Sequence, residues 1–206
     1  MKKILCFGDS NTYGYRPENG ERYDKSIRWT GRLQRLLGED YEVIEEGLCG
    51  RTSVFEDDRI KGRKGIDSVE QIVKEHNPID LFVVMLGTND CKTKYHASAK
   101  EIAAGVEQLI LKAKQSASKD TKILLVSPIL LGKGVGEEGY DIEFDEASEQ
   151  VSLKLGEEYQ KIAGQNGYAF LNAADYAKPS ETDREHLDVQ GHEKLSIAIY
   201  QKIKEL

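Results

Sequence analysis

Unbroken apolar runs alternate along this chain with longer segments whose apolar residues recur every three or four positions. The runs at 4–7 and 81–86 are typical of strands covered on both faces, and the second is the most continuous, which predicts a central strand. Three further strands are predicted at 41–46, 123–126 and 168–171. Runs this short fit strands better than helices.

Helical periodicity fills the segments between these runs. An apolar stripe from Trp29 to Leu37 predicts the first long helix, and Asp67 with Glu70 predicts the N-terminal cap of the next. Three more helices are predicted later in the chain, the first of them after a capping box that begins at Ser98.

Strands that alternate with helices throughout predict an α/β protein with three layers, α/β/α, in which a five-stranded parallel sheet lies between helices. The length suits a single domain, residues 1–206. No internal repeat or linker interrupts the pattern.

Composition narrows the class of partner. The net charge of -7 and pI near 5.3, without any run rich in Lys or Arg, argue against nucleic-acid and anionic-membrane partners. No apolar stretch approaches the ~18 residues of a membrane span, and the run after Lys3 is too short for a signal peptide, so we expect a cytoplasmic protein. Cys6, Cys49 and Cys91 lack the spacings of a zinc site or a disulfide framework. We expect free thiols, with no metal and no other cofactor.

Chemically useful residues follow the predicted strands. Ser10 follows the first, Gly50 the second and Asn89 the third, while Asp183 and His186 precede the last helix. Parallel strands end together, and open α/β sheets bind ligands at that edge, so these residues are expected to converge. Taken alone, the serine is typical of a helix N-cap, and the glycine and asparagine of turns. The prediction that these residues form one site therefore rests on their order along the chain rather than on any single residue.

Two histidines flank the start of the last predicted helix. His186 follows Asp183 by three positions, which lets the carboxylate reach the imidazole across one turn. His192 has no such partner and is predicted as a residue of the first helical turn. A second interpretation takes His186, Asp188 and His192 as metal ligands, and activity that survives exhaustive chelation would exclude it.

The order of these motifs resembles one known family. The SGNH, or GDSL-type, hydrolases carry Ser in G-D-S, Gly in G-x-x-G, Asn in G-x-N-D and His in D-x-x-H, which match Ser10, Gly50, Asn89 and His186. The resemblance covers essentially the whole chain. The stretches most like small bacterial arylesterases and acyltransferases are G-D-S-N-T-Y-G-Y, V-I-E-E-G-L-C-G-R-T and V-V-M-L-G-T-N-D. It implies a flavodoxin-like SGNH-hydrolase fold and a serine esterase.

The chemistry of the side chains agrees with the roles that the resemblance implies. A serine hydroxyl needs a base to become nucleophilic, which fits His186 as the base for Ser10 and Asp183 as the carboxylate that orients the imidazole. The charge that develops on the carbonyl oxygen needs preorganised donors. The resemblance assigns these to the backbone N–H groups of Ser10 and Gly50 and to the side-chain amide of Asn89.

The implied substrate is a small acyl ester of an aryl or sugar alcohol, with an acyl-enzyme on Ser10 and acyl transfer to alcohols as an accompanying activity. The loops at 91–97 and 128–140 are expected to form the acyl-binding wall. Cys49 and Cys91 neighbour Gly50 and the Asn89 segment, where they either line the pocket or, as is more usual for such thiols, are buried as small apolar residues. Relatives of this kind often assemble into oligomers, so a homo-oligomer is a further expectation, which a mass from light scattering tests.

Two other functions fit parts of the pattern. A carbohydrate acetyl-esterase would use the same triad, and comparison of an aryl acetate with an acetylated xyloside separates the two. A flavodoxin-like binding module without enzymatic activity would hold a phosphate at the turn of residues 10–14. No G-x-G-x-x-G or Walker pattern follows the first strand, which argues against the module. Thermal stabilisation by flavin or nucleotide, without esterase activity, would favour it.

Overall fold

The computed structural model describes residues 1–206 and contains one five-stranded parallel sheet. Every predicted strand is present, with boundaries that differ from the predicted ones by at most two residues. The strands are β1 (Lys2–Gly8), β2 (Tyr41–Gly47), β3 (Leu81–Met85), β4 (Lys122–Ser127) and β5 (Ala169–Asn172). Their order in the sheet is β2-β1-β3-β4-β5, so β3 is central, as its unbroken apolar run predicted.

A helix follows every strand. The helices are α1 (Ser10–Tyr13), α2 (Trp29–Leu37), α3 (Gly65–His76), α4 (Ala99–Ser116), α5 (Glu146–Asn166) and α6 (Val189–Lys204), with 3₁₀ turns at Asn89–Cys91, Thr93–Tyr95 and Ala173–Asp175. The capping box at the start of α4 is confirmed. The four-residue α1 was not predicted, because one turn leaves no periodic pattern. None of the helices is both long and apolar enough to cross a membrane.

Two apolar clusters, one on each face of the sheet, explain why the strands are apolar throughout. Ile4 and Cys6 of β1 pack in a cluster with α2 and α6, whereas Leu5 and Phe7 of the same strand pack with α3, α4 and α5. Successive side chains of a strand point to opposite faces, so both faces must be apolar when both are covered. The predicted three-layer α/β/α fold is confirmed.

The predicted cap of α3 is wrong. Asp67 lies within the first turn and makes no capping bond, and the helix begins two residues earlier, at Gly65. The backbone N–H groups of Gly65 and Ile66 donate at 2.9 Å each to the carbonyl oxygens of Thr52 and Ser53. A tertiary contact with the loop after β2 therefore satisfies the first amides of the helix, which a local sequence pattern does not report.

The strand order places a crevice above the carboxyl ends of β1 and β3. The chain runs outward from β1 to β2 and then returns past β1 to β3, so the connections leave these two neighbouring strands in opposite directions. Such a switch point is where flavodoxin-like sheets bind their ligands. Ser10 follows β1 directly, and Asn89 follows β3.

Candidate active site

Ser10 is held at the end of β1 by close packing of α1 on the sheet. Gly8 and Gly47 are neighbours in the register of β1 and β2. A Cβ on Gly8 would lie 2.1 Å from Thr12 Oγ1, and one on Gly47 would lie 2.1 Å from the backbone nitrogen of Tyr13. Both glycines therefore let α1 sit directly on the strand ends, and the first residue of that helix is Ser10.

The structure brings Ser10, His186 and Asp183 into one hydrogen-bonded chain. Ser10 Oγ lies 2.8 Å from His186 Nε2, and Nδ1 of the same ring lies 2.7 Å from Asp183 Oδ2. Asp183 Oδ1 accepts the backbone N–H groups of Glu185 and His186 at 3.0 Å each. One carboxylate thus fixes both the turn of the loop and the orientation of the imidazole.

Two residues that the sequence analysis gave no role also position His186. The Oδ1 atom of Asn11 accepts the backbone N–H of Leu187 at 2.8 Å, which fastens the histidine loop to α1. The ring of Tyr15 packs against the imidazole with ring centroids 4.3 Å apart. Asn11 directly follows Ser10, and this adjacency is the only sequence signal that pointed to it.

The charges around His186 favour its protonated form. Burial opposes protonation, but the carboxylates of Glu185 and Asp183 outweigh it and raise the pKa of His186 above its ordinary value of 6.5. Burial by itself would raise the pKa of Asp183, yet hydrogen bonds from His186 and from the backbone of the loop lower it. Asp9, beside Ser10, is fully enclosed, and burial raises its pKa to about 7.

Gly50 and Asn89 approach the Ser10 site from the loops that follow β2 and β3. Gly50 has a φ of +76°, and no hydrogen bond within the protein uses its backbone N–H. One N–H of the Asn89 amide donates to the carbonyl of Arg51 at 3.2 Å, which leaves its second N–H for a ligand. Ser10 opens α1, so its own backbone N–H has no acceptor in the helix.

Two buried side chains hold these loops together. The guanidinium of Arg51 donates to the carbonyls of Gly8, at 2.8 Å, and Glu46, and it lies 4.0 Å over the ring of Phe7. Asp90 Oδ1 accepts the backbone N–H of Ser53 at 2.9 Å and also its hydroxyl. The Gly50 loop is therefore fixed to β1, and the Asn89 segment to the loop after β2.

The residues of the alternative metal site have separate partners. His192 lies in the first turn of α6, where its Nδ1 accepts the backbone N–H of Trp29 at 3.2 Å. Asp188 is the N-cap of that helix and accepts from Gly191 at 2.7 Å. His186 is held by the contacts described above, so the three side chains do not share a centre. No cluster of three or more His, Cys, Asp or Glu side chains has the arrangement of a metal site.

A cavity of about 540 Å³ surrounds the predicted site and is lined by Ser10, Gly50, Asn89, Asp183 and His186. The loop predicted at 91–97 contributes Lys92, and that at 128–140 contributes its last two residues, with the wall continuing through 141–142. Tyr15 and Pro17, from the segment after α1, complete a wall that was not predicted. Cys49 lines the cavity, whereas Cys91 is buried outside it, with its thiol 3.3 Å from the carbonyl of Gly87.

The chain is similar in sequence and structure to known hydrolases. Residues 6–194 match the model of the GDSL-like lipase/acylhydrolase family. The aryl esterase of M. smegmatis is 32% identical, with a TM-score of 0.91 and 100% of each chain covered. A carbohydrate acetylesterase from Sinorhizobium meliloti is 30% identical, with a TM-score of 0.92, and the match covers 100% of this chain and 99% of that one. A third structure, a putative arylesterase from Agrobacterium tumefaciens, is 30% identical over 100% of this chain and 99% of that one, with a TM-score of 0.88. Comparison with curated proteins gave no match.

Proposed function

The chain belongs to the GDSL-like lipase/acylhydrolase family and is a serine esterase, and we propose that it hydrolyses short acyl esters through an acyl-enzyme on Ser10. The observation that carries this proposal is the unbroken chain of contacts from Ser10 Oγ through the His186 ring to Asp183, at 2.8 and 2.7 Å, in the wall of a cavity. Nucleophile, base and orienting carboxylate are then within hydrogen-bond reach of one another.

In the proposed acylation, His186 Nε2 takes the hydroxyl proton as Ser10 Oγ attacks the carbonyl carbon. Asp183 stabilises the imidazolium that forms and holds the tautomer that leaves Nε2 free to accept. The tetrahedral intermediate collapses when the bond to the alcohol oxygen breaks, and that oxygen takes the proton from Nε2. The products of this half-reaction are the free alcohol and an ester on Ser10.

The negative charge of the tetrahedral intermediate falls among three proposed donors. These are the backbone N–H groups of Ser10 and Gly50 and the second N–H of the Asn89 amide. All three are held in place before the substrate arrives, because Arg51 and Asp90 pin the Gly50 and Asn89 loops and α1 packs directly on the strand ends at Ser10. Donors that need no reorganisation stabilise the transition state more than the ground state.

In deacylation, water gives a proton to His186 Nε2 and attacks the acyl carbon, and Ser10 Oγ takes that proton as its bond to carbon breaks. An alcohol in place of water would accept the acyl group by the same step, so acyl transfer is part of the proposal. A carbohydrate acetate is the second candidate substrate. It is favoured by two aromatic residues, Tyr15 and Tyr140, among the lining of a cavity otherwise rich in polar and charged side chains.

The test is release of p-nitrophenol from p-nitrophenyl acetate, butyrate and octanoate by the wild type and Ser10→Ala. We expect a stoichiometric burst with the wild type, the fastest turnover with acetate, and loss of nearly all activity in the variant. Ser68→Ala is the matched control, since Ser68 lies on α3 and bonds only to the carbonyl of Gly65. An active Ser10→Ala enzyme would contradict the nucleophile assignment. Faster turnover of an acetylated xyloside than of the aryl acetate would favour the second candidate substrate.

A further inference from the structure

Glu185 brings into the catalytic cavity a carboxylate whose only charged contact within 4 Å is the ring of His186. The residue is 6% exposed and lines the cavity beside His186. Its backbone N–H donates to Asp183 and its carbonyl accepts from Asn11, but no hydrogen bond within the protein uses its carboxylate. Burial of a carboxylate is costly unless the group is hydrogen-bonded or paired, and the contact with His186, at 3.7 Å, leaves both carboxylate oxygens without a hydrogen bond.

The carboxylate faces the atom that handles the proton of the alcohol. Glu185 Oε1 lies 3.7 Å from His186 Nε2, which itself lies 2.8 Å from Ser10 Oγ. The alcohol oxygen must approach Nε2 both when it leaves and when it attacks. A hydroxyl group on the carbon next to the one that bears that oxygen would then come within hydrogen-bond reach of Glu185. The carboxylate therefore lies on the alcohol side of the reaction centre.

Two other charged side chains of the cavity, Lys92 and Asp141, already make contacts within the protein. Lys92 Nζ is paired with Glu143 at 2.6 Å, so it does not neutralise Glu185 directly. Asp141 Oδ1 accepts the backbone N–H of Glu143 at 2.9 Å and shapes its own loop. Burial raises the pKa of Glu185 above its ordinary value, and the opposing effect of the neighbouring His186 is smaller. Glu185 therefore differs from Asp141 in that neither of its carboxylate oxygens accepts a hydrogen bond within the protein.

We propose that Glu185 is a specificity-determining residue that accepts a hydrogen bond from a second hydroxyl group on the alcohol half of the ester. The enzyme then prefers esters of diols and polyols over esters of plain alcohols. Diols are likewise preferred when an alcohol replaces water as the acyl acceptor, because leaving and attacking alcohols occupy the same place. This inference rests on the proposed function, since it uses the Ser10–His186 reaction centre.

The experiment compares 2-hydroxyethyl acetate with propyl acetate, which differ by one hydroxyl group in place of a methyl group. The kcat/KM values for the two esters are measured by titration of released acid, and their ratio is compared in the wild type, Glu185→Ala and Glu185→Gln. We expect the ratio to fall about tenfold or more in Glu185→Ala, the effect of one hydrogen bond to a charged group. It should fall less in Glu185→Gln, which keeps an acceptor oxygen. A general loss of activity cancels in each ratio.

Asp141→Asn is the matched control, because it removes another negative charge from the same cavity. Its ratio should equal that of the wild type. An equal fall of the ratio in Asp141→Asn and Glu185→Ala would assign the preference to the charge of the cavity rather than to Glu185. An unchanged ratio in both Glu185 variants overturns the inference while the esterase activity stands. A folded wild type that hydrolyses neither these esters nor p-nitrophenyl acetate would overturn the proposed function as well. If Glu185→Ala does not fold, Glu185→Gln decides: a fall of the kcat/KM ratio supports the inference, and an unchanged ratio overturns it.

Discussion

Two buried histidines six residues apart have opposite electrostatic surroundings. His186 lies in the loop before α6, next to the carboxylates of Glu185 and Asp183, which raise its pKa against the effect of burial. His192 lies in the first turn of α6, where burial and the nearby Arg32 and Arg28 lower its pKa to about 3. Burial alone would keep both rings neutral. The sign of the neighbouring charge decides which of them is suited to accept a proton during a reaction.

The largest expected effect comes from removing each ring in turn. We expect His186→Ala to lower kcat for p-nitrophenyl acetate by about 10⁴–10⁶, because Ser10 loses its base. His192→Asn keeps an acceptor for the backbone N–H of Trp29 and should leave kcat within a few-fold of the wild type. Steady-state rates of both variants at one pH make the comparison. A large loss of kcat in a folded His192→Asn enzyme would reverse the assignment of the two histidines.

The next effect concerns Asp183, a carboxylate that contacts His186 and has no counterpart beside His192. Asp183→Asn should lower kcat by about 10⁴, because an amide favours the wrong tautomer of His186 and does not stabilise the imidazolium. KM should change much less than kcat, since Asp183 acts through the ring. Asp188→Asn, at the cap of α6, is the control from the His192 side and should retain most activity. Similar losses in the two variants would mean that the effect arises from folding of the loop.

A smaller loss is expected from the proposed oxyanion donor. Asn89→Ala should reduce kcat by about 10²–10³, or roughly 3–4 kcal/mol of transition-state stabilisation, with Ser10 and His186 still in place. Asn172→Ala, at the end of β5, removes an amide that bonds only to Asp175 and should have little effect on kcat. Turnover by Asn89→Ala at the wild-type rate would contradict the donor role.

The smallest effect concerns stability against pH and has the opposite sign at the two histidines. Burial and the nearby arginines lower the pKa of His192 in the folded protein to about 3, against 6.5 for a free imidazole, so the unfolded chain binds more protons between these values. The free energy of unfolding then falls as the pH falls, by about 2 kcal/mol at pH 5 relative to neutral pH. His186, whose folded pKa is raised, contributes stability that is present below pH 6.5 and lost as the pH rises through that raised pKa.

Urea unfolding of the wild type and His192→Asn at pH 7.5 and 5 measures the difference. The variant should lose less stability on acidification, because it has no ring to protonate in the unfolded state. Carboxylates contribute equally to both proteins and cancel in the comparison. An identical pH dependence of the two proteins would show that the buried ring of His192 does not titrate as inferred.

The fold could be predicted from the sequence wherever burial leaves a periodic signal. The strand at 81–86 was identified as central from its apolar run alone, and the box at Ser98 marked the start of α4 correctly. The predicted cap at Asp67 was wrong because carbonyls from the loop after β2 satisfy the first amides of α3. Local patterns locate elements, and contacts between distant segments decide where some of those elements begin.

The sequence by itself determined the order of the elements, the two-sided burial of the sheet and the candidate residues at its edge. These follow from periodicity and from short motifs, which are local properties of the chain. Only the tertiary structure decided that Ser10 Oγ and His186 Nε2, from residues 176 apart in the chain, lie 2.8 Å from each other. It likewise decided that Asn11 and Tyr15 hold the histidine in place. It also decided that Glu185 faces the cavity. Side-chain direction and the charge of neighbours depend on how loops from separate strands pack together, which no local pattern contains.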